Sequence, residues 1–165
     1  MRNQILAMLM FFGMIATIGS ANNLSTEKKY QKTFYDTGIL KAEGWQIGTV
    51  KTDYWYFYHA NGQVASKGTF RSNQKEGYWF YYNEEGHLLK EGHYKHGMAS
   101  GWWIFYDIAT HSEKRFQYNQ NQKNGYALIY KNNRLRRAEK YHNNTKIGEW
   151  TSIFSFKRDN PDVSL

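Results

Sequence analysis

"GYWFYYNEEGHLLKEGHYKHGMASG", residues 77–101, decides the fold. Residues 78–82 are consecutive aromatics, side chains that strands favour, in a run too short for a stable helix. Asn83-Glu84-Glu85-Gly86 then turns the chain, with glycine supplying the positive φ that a tight hairpin needs. A return strand runs from Leu88 to Tyr94, and a second polar turn, Lys95-His96-Gly97, leads on to Gly101. The stretch reads as one β-hairpin. Strand alternation places Trp79 and Tyr81 on one face and Tyr78, Phe80 and Tyr82 on the other, so both faces are aromatic.

The same pattern recurs on either side. From Tyr54 the chain divides into units at 54–77, 78–101, 102–125 and 126–148, followed by a partial unit, "EWTSIFSF", at 149–156. Four columns stay in phase: Gly77, Gly101, Gly125 and Gly148; Trp55, Trp79, Trp103 and, past Ala127, Trp150; Tyr58, Tyr82, Tyr106 and Tyr130; Phe70, Tyr94, Tyr118 and Tyr141. A degenerate earlier unit shows in "FYDTGILKAEGW" (34–45). A repeat of about 24 residues built from one hairpin predicts an all-β fold, an elongated antiparallel meander or solenoid. Equivalent residues then lie near one another, with Trp79 between Trp55 and Trp103. The domain organisation that follows is a signal peptide at 1–21, a flexible lead-in at 22–33, the repeat domain at 34–156 and a tail at 157–165.

These residues carry a resemblance. The order Gly, aromatic, Trp, aromatic, Tyr, a turn ending in glycine, then Gly-aromatic resembles the MORN-repeat variant of bacterial β-hairpin proteins, the group that includes the YwqK-like antitoxins. The match is best in 77–101 and in "YWYFYHANGQVASKGTFRSNQKEG" (54–77), and extends more weakly over 34–156. The later units depart from it. Thr110 and Arg134 stand where the turn glycine is expected, Phe116 replaces the return-strand glycine and Ala127 replaces the tryptophan, which leaves the register of the last two hairpins open. The resemblance implies a β-hairpin scaffold used for binding, with no catalytic residue to carry over. A lesser similarity links the aromatic hairpins to choline- and glucan-binding cell-wall repeats, whose units are shorter.

Composition agrees with a fold held together by rings. From Asn22 onward there are 17 Val, Ile and Leu residues against 28 aromatics, so aromatics must supply most of the core. The chain opens with Arg2, an apolar run from Ile5 to Ile18 and small residues before Ala21, the signature of a secretory signal peptide cleaved after Ala21. The expected location is therefore periplasmic or secreted. There is no cysteine, so no disulfide supports an exported fold.

Nothing in the sequence has the spacing of a catalytic site. The six histidines recur without an acidic residue in phase, no phosphate loop or nucleophile motif is present, and no cofactor or metal is expected. After Ala21 the charge is +7, from 21 Lys and Arg against 14 Asp and Glu, and it is densest in "YKNNRLRRAEKYHNNTK" (130–146). The candidate binding surface is accordingly the tyrosine column, Tyr58, Tyr82, Tyr106 and Tyr130, with the basic residues Arg134, Arg136, Arg137 and Lys140. Trp55, Trp79, Trp103 and Trp150, with Gly77, Gly101, Gly125 and Gly148, are assigned to the repeat scaffold. The expected function is non-catalytic interaction with a protein or a cell-envelope component. An acidic polysaccharide or anionic lipid surface suits the charge, and nucleic acid is disfavoured by export. The alternative is carbohydrate or choline binding through exposed aromatic columns.

Overall fold

The computed structural model describes residues 26–163, and the signal peptide expected at 1–21 lies outside them. Eleven strands follow one another: β1 (Lys28–Phe34), β2 (Leu40–Ile47), β3 (Val50–Tyr58), β4 (Val64–Arg71), β5 (Gln74–Tyr82), β6 (Leu88–Lys95), β7 (Met98–Asp107), β8 (Ser112–Asn119), β9 (Gln122–Lys131), β10 (Arg134–His142) and β11 (Thr145–Trp150). A short helix, α1 (Ile153–Asp159), follows. Each strand pairs antiparallel with its sequence neighbours and none crosses over, which makes one open meander sheet. At about 4.8 Å per strand the sheet is about 48 Å wide.

Two kinds of turn alternate along its edges. Ser72-Asn73, His96-Gly97, Gln120-Asn121 and Asn143-Asn144 are two-residue turns with both residues at positive φ, the geometry that matches the twist of the flanking strands. Each is tied to the preceding unit: the Asn73, Asn121 and Asn144 side chains accept from the N–H groups of Lys51, Ala99 and Lys123 at 2.7, 2.6 and 2.8 Å. At the opposite end Gly62 and Gly86 take positive φ in longer turns. Where those glycines are missing, His111 and the pair Asn132-Asn133 adopt the left-handed conformation instead: Thr110 stays in its turn without taking the glycine's conformation, and Arg134 begins β10.

Gly77, Gly101 and Gly125 have φ of +68°, +69° and +111°. They sit where the registers of β5, β7 and β9 slip against the preceding strands. They are bulge glycines, and Asp53 occupies the same place in β3. Gly148, by contrast, is not among the glycines at positive φ. The fourth unit is one residue shorter than the others, and its last column falls out of phase.

Trp55, Trp79 and Trp103 are only 2%, 0% and 3% exposed although the sheet is a single layer. Each indole lies flat over a glycine of the preceding strand: a Cβ added at Gly44, Gly68 or Gly92 would fall into the ring of Trp55, Trp79 or Trp103. The indole N–H groups donate to backbone carbonyls, Trp79 to Thr69 at 3.0 Å and Trp103 to His93 at 3.0 Å. The tryptophans do not stack on one another as the repeat suggested. Equivalent strands are about 9.6 Å apart, so a ring from between them fills the gap: Phe57 and Phe70 separate Trp55 from Trp79, and Tyr81 and Tyr94 separate Trp79 from Trp103.

The third unit keeps this packing with the sizes exchanged. Phe116 pairs with Ala127 in the register that Gly92 makes with Trp103, so a large side chain on β8 meets a small one on β9. Ala127 is fully buried.

The ends of the domain differ from the sequence reading. The lead-in expected over 22–33 contributes a strand, β1, because its backbone pairs with β2 and Tyr30 packs edge-on against Trp45 at 5.2 Å. The expected partial repeat at 149–156 ends as β11 at Trp150. Ser152 then caps α1, its Oγ accepting from Ser155 N at 3.1 Å. Phe156 is 1% exposed, packed against Tyr126 and Trp150, and Asn160 accepts from the Tyr126 hydroxyl at 2.9 Å. The stretch from 157 that read as a tail thus adds Asn160 and Val163 to a small core with Leu128, Ala138 and Phe156. Trp150 belongs to that core, on the face opposite Trp55, Trp79 and Trp103, because it pairs with Ala138 rather than with the buried Glu139.

Candidate functional site

The sheet has two unlike faces. Tyr58, Tyr82, Tyr106 and Tyr130 do share one of them, as the sequence predicts, and each meets a charged residue fifteen positions upstream. The partners alternate in sign. The Tyr58 and Tyr106 hydroxyls donate to Glu43 and Glu91 at 2.6 and 2.7 Å, whereas Lys67 and Arg115 lie over the rings of Tyr82 and Tyr130 at 5.6 and 4.9 Å. The Tyr58 hydrogen bond holds the Glu43 carboxyl below its ordinary range, and Lys32 at 3.4 Å adds to the effect. Burial, then the acceptor carboxylate, raises the phenols of Tyr58 and Tyr106. The column is therefore a ladder of satisfied contacts.

The basic stretch of β10 is divided by the fold. A register shift between Leu135 and Arg137 places Arg137 on the tryptophan face, where its guanidinium donates to the buried Glu139 at 2.7 Å. Tyr141 donates to the same carboxylate at 2.8 Å, and burial pushes its phenol up to about 12. Lys140 lies on the other face, 5.2 Å from the Tyr126 ring. Arg134 is exposed beside its turn, and Arg136 lines a recess of about 310 Å³ under α1 with Leu135, Trp150, Ile153 and Phe156. The four cations do not form one patch.

A different set of cations converges on the tryptophan face. Lys75 is half-buried, its Nζ 4.4, 5.0 and 5.2 Å from the rings of Trp79, Tyr81 and Tyr94. It donates to the Tyr81 hydroxyl at 2.8 Å, and that hydroxyl is 3.0 Å from the hydroxyl of Tyr94. Lys90 reaches the same Tyr81 ring at 4.8 Å. Lys51 lies over Trp55 at 5.2 Å, and Lys123 over Phe116 and Tyr141 at 4.0 and 5.2 Å. Among the described residues none of these four lysines has a carboxylate within ion-pair distance. The carboxylates that strand pairing places on this face sit at its margins and are engaged: Asp107 accepts from Thr110 N in its own hairpin at 3.1 Å, Glu139 is bonded by Arg137 and Tyr141, and Glu149 is paired with Lys146. Burial, with the charge of Lys90 as a second cause, lowers the Lys75 pKa below that of an ordinary lysine. The same burial raises the Tyr81 phenol, and the hydrogen bond to the Tyr94 hydroxyl adds to the effect.

Sequence reading misses this cluster because its lysines lie outside 130–146, where charge is densest. The signal was present: Lys51, Lys75 and Lys123 recur in the repeat phase, with Ala99 the one gap. What the sequence could not supply is that their ammonium groups fold back onto the rings. Among the described residues no group of His, Asp or Glu side chains is arranged to hold a metal ion, and no helix is long and apolar enough to cross a membrane. No family model matches the chain, and no curated protein matches it.

Proposed function

We propose that the chain is an exported, non-catalytic repeat scaffold that binds a protein or a component of the cell envelope through its sheet faces, as the MORN-repeat variant it resembles would. The observation that carries this reading is the single-layer sheet. Sheets with aromatic faces are ordinarily covered by a second layer, yet among the described elements only α1 packs on this one, at the C-terminal end. Buried indoles and self-contained ion pairs make the layer rigid without a cover, which frees its faces for a partner.

The choline-type alternative is less well supported. The rings that would surround a cationic ligand already carry the chain's own ammonium groups, as at Trp79, Tyr81 and Tyr94 around Lys75. A free cation would have to displace a tethered one.

The scaffold reading is tested by placing a photo-crosslinking residue at exposed Lys114 on the tryptophan face or at Leu89 on the tyrosine face, in cells producing the chain. A recurrent adduct from one face is expected. Equal, diffuse labelling from both positions would overturn the reading.

A further inference from the structure

We infer that the tryptophan face seats a linear acidic polysaccharide, whose carboxylates supply the counter-charges that Lys51, Lys75, Lys90 and Lys123 lack; this rests on the scaffold reading above and names its ligand. The first argument is charge complementarity. A half-buried ammonium is normally paired, because burial disfavours the charged form. Here two of them, Lys75 and Lys90, approach a single tyrosine ring with no carboxylate between them. The rings soften the charge, and an anion would neutralise it.

The second argument is shape. The four lysines run from β3 to β9 along one face, a distance of about 29 Å at 4.8 Å per strand. Over those six pairings the ordinary sheet twist of about 20° per pair accumulates to about 120°. A flat bilayer cannot meet cations distributed around such a twist, whereas a linear polymer can follow them. Lys51 and Lys75 are two strands apart, about 9.6 Å, a spacing that lets every second carboxylate of a uronate chain meet a lysine while those between face solvent. A nucleic acid would also be linear, but it needs exposed ring faces on which bases stack. The indoles of this face are at most 3% exposed. What the face offers instead is ring edges, the tyrosine hydroxyls of Tyr81 and Tyr94, and ammonium groups, which suit hydroxyls and carboxylates on a sugar chain.

The test uses the intact protein and isothermal titration with a galacturonate hexamer, against a neutral maltohexaose, phosphatidylglycerol vesicles and single-stranded DNA. The uronate is expected to bind, more weakly as salt rises, and the neutral sugar at least tenfold less tightly. Removing one charge-assisted contact should weaken binding about tenfold. K75Q/K90Q should therefore lose about a hundredfold and K75R/K90R should recover most of it. K90Q/K123Q provides a second pair should K75Q perturb the fold. K32Q/K67Q, on the opposite face, should bind as the parent does. No uronate binding, unchanged affinity in both glutamine pairs, or tighter binding of vesicles or DNA through the same lysines would overturn the inference. If uronate fails while crosslinking still gives a face-specific adduct, the ligand assignment falls and the scaffold reading stands. If both fail, both fall.

Discussion

Exchanging the sizes of one pair across β6 and β7 should reproduce what the chain already does across β8 and β9. Trp103 lies over Gly92, and one repeat later Ala127 lies opposite Phe116 in the same register. W103A alone removes a buried indole and its hydrogen bond to His93 O, and large-to-small changes of this kind cost about 3–5 kcal/mol. G92F alone drives a side chain into the indole, an overpacking that costs about 1–3 kcal/mol or more. Added independently they would cost about 4–8 kcal/mol, enough to unfold a domain with a stability of about 5–15 kcal/mol. In G92F/W103A the phenyl ring fills the space the indole leaves. What remains is one lost hydrogen bond, about 1 kcal/mol, and imperfect packing. The double variant should therefore be more stable than W103A, with a coupling energy of about 2–3 kcal/mol. Urea unfolding followed by circular dichroism measures the total, and hydrogen exchange of peptides from β6 and β7 localises it, since repeat arrays open unit by unit. Additivity of the two single changes to within about 0.5 kcal/mol would refute the idea that glycine and tryptophan act as one packing unit.

Three further outcomes follow from the same contacts. The phenols of Tyr58, Tyr81, Tyr106 and Tyr141 are raised in the folded state, so the unfolded chain releases their protons first; stability should be intact below pH 10 and fall as pH rises towards 12, with phenolate absorbance appearing together with loss of structure. Phenolate absorbance that develops near pH 10 in a fully folded chain would contradict this. Y58F removes the main cause of the lowered Glu43 pKa, so the carboxyl, followed by NMR, should titrate closer to the ordinary glutamate value; an unchanged Glu43 would assign its shift to Lys32 instead. F156A should cost about 3–5 kcal/mol locally, accelerating exchange in β9 to β11 while β2 to β6 keep their protection; uniform loss along the sheet would mean that α1 supports the whole array.

The sequence by itself determined the unit. Aromatic runs that alternate faces, glycine-bearing turns and a period near 24 residues are local signals, and each hairpin obeys them with its nearest neighbours alone. They therefore predicted an all-β meander, the two aromatic faces and the shared face of the tyrosine column. The tertiary structure decided what depends on neighbours across the sheet. Phe116 and Ala127, separate irregularities when read along the chain, become one compensating pair when β8 lies against β9. Trp150 changes face because the pairing of β10 with β11 slips by one residue at Ile147, and a separate slip at Arg136, between β9 and β10, scatters the basic run that the sequence makes contiguous. The lysines of the tryptophan face were hidden for the same reason. Their positions recur in the sequence, but only the folded sheet lays Lys75 and Lys90 against the one ring of Tyr81, where long flexible side chains leave water for the rings and no carboxylate follows them.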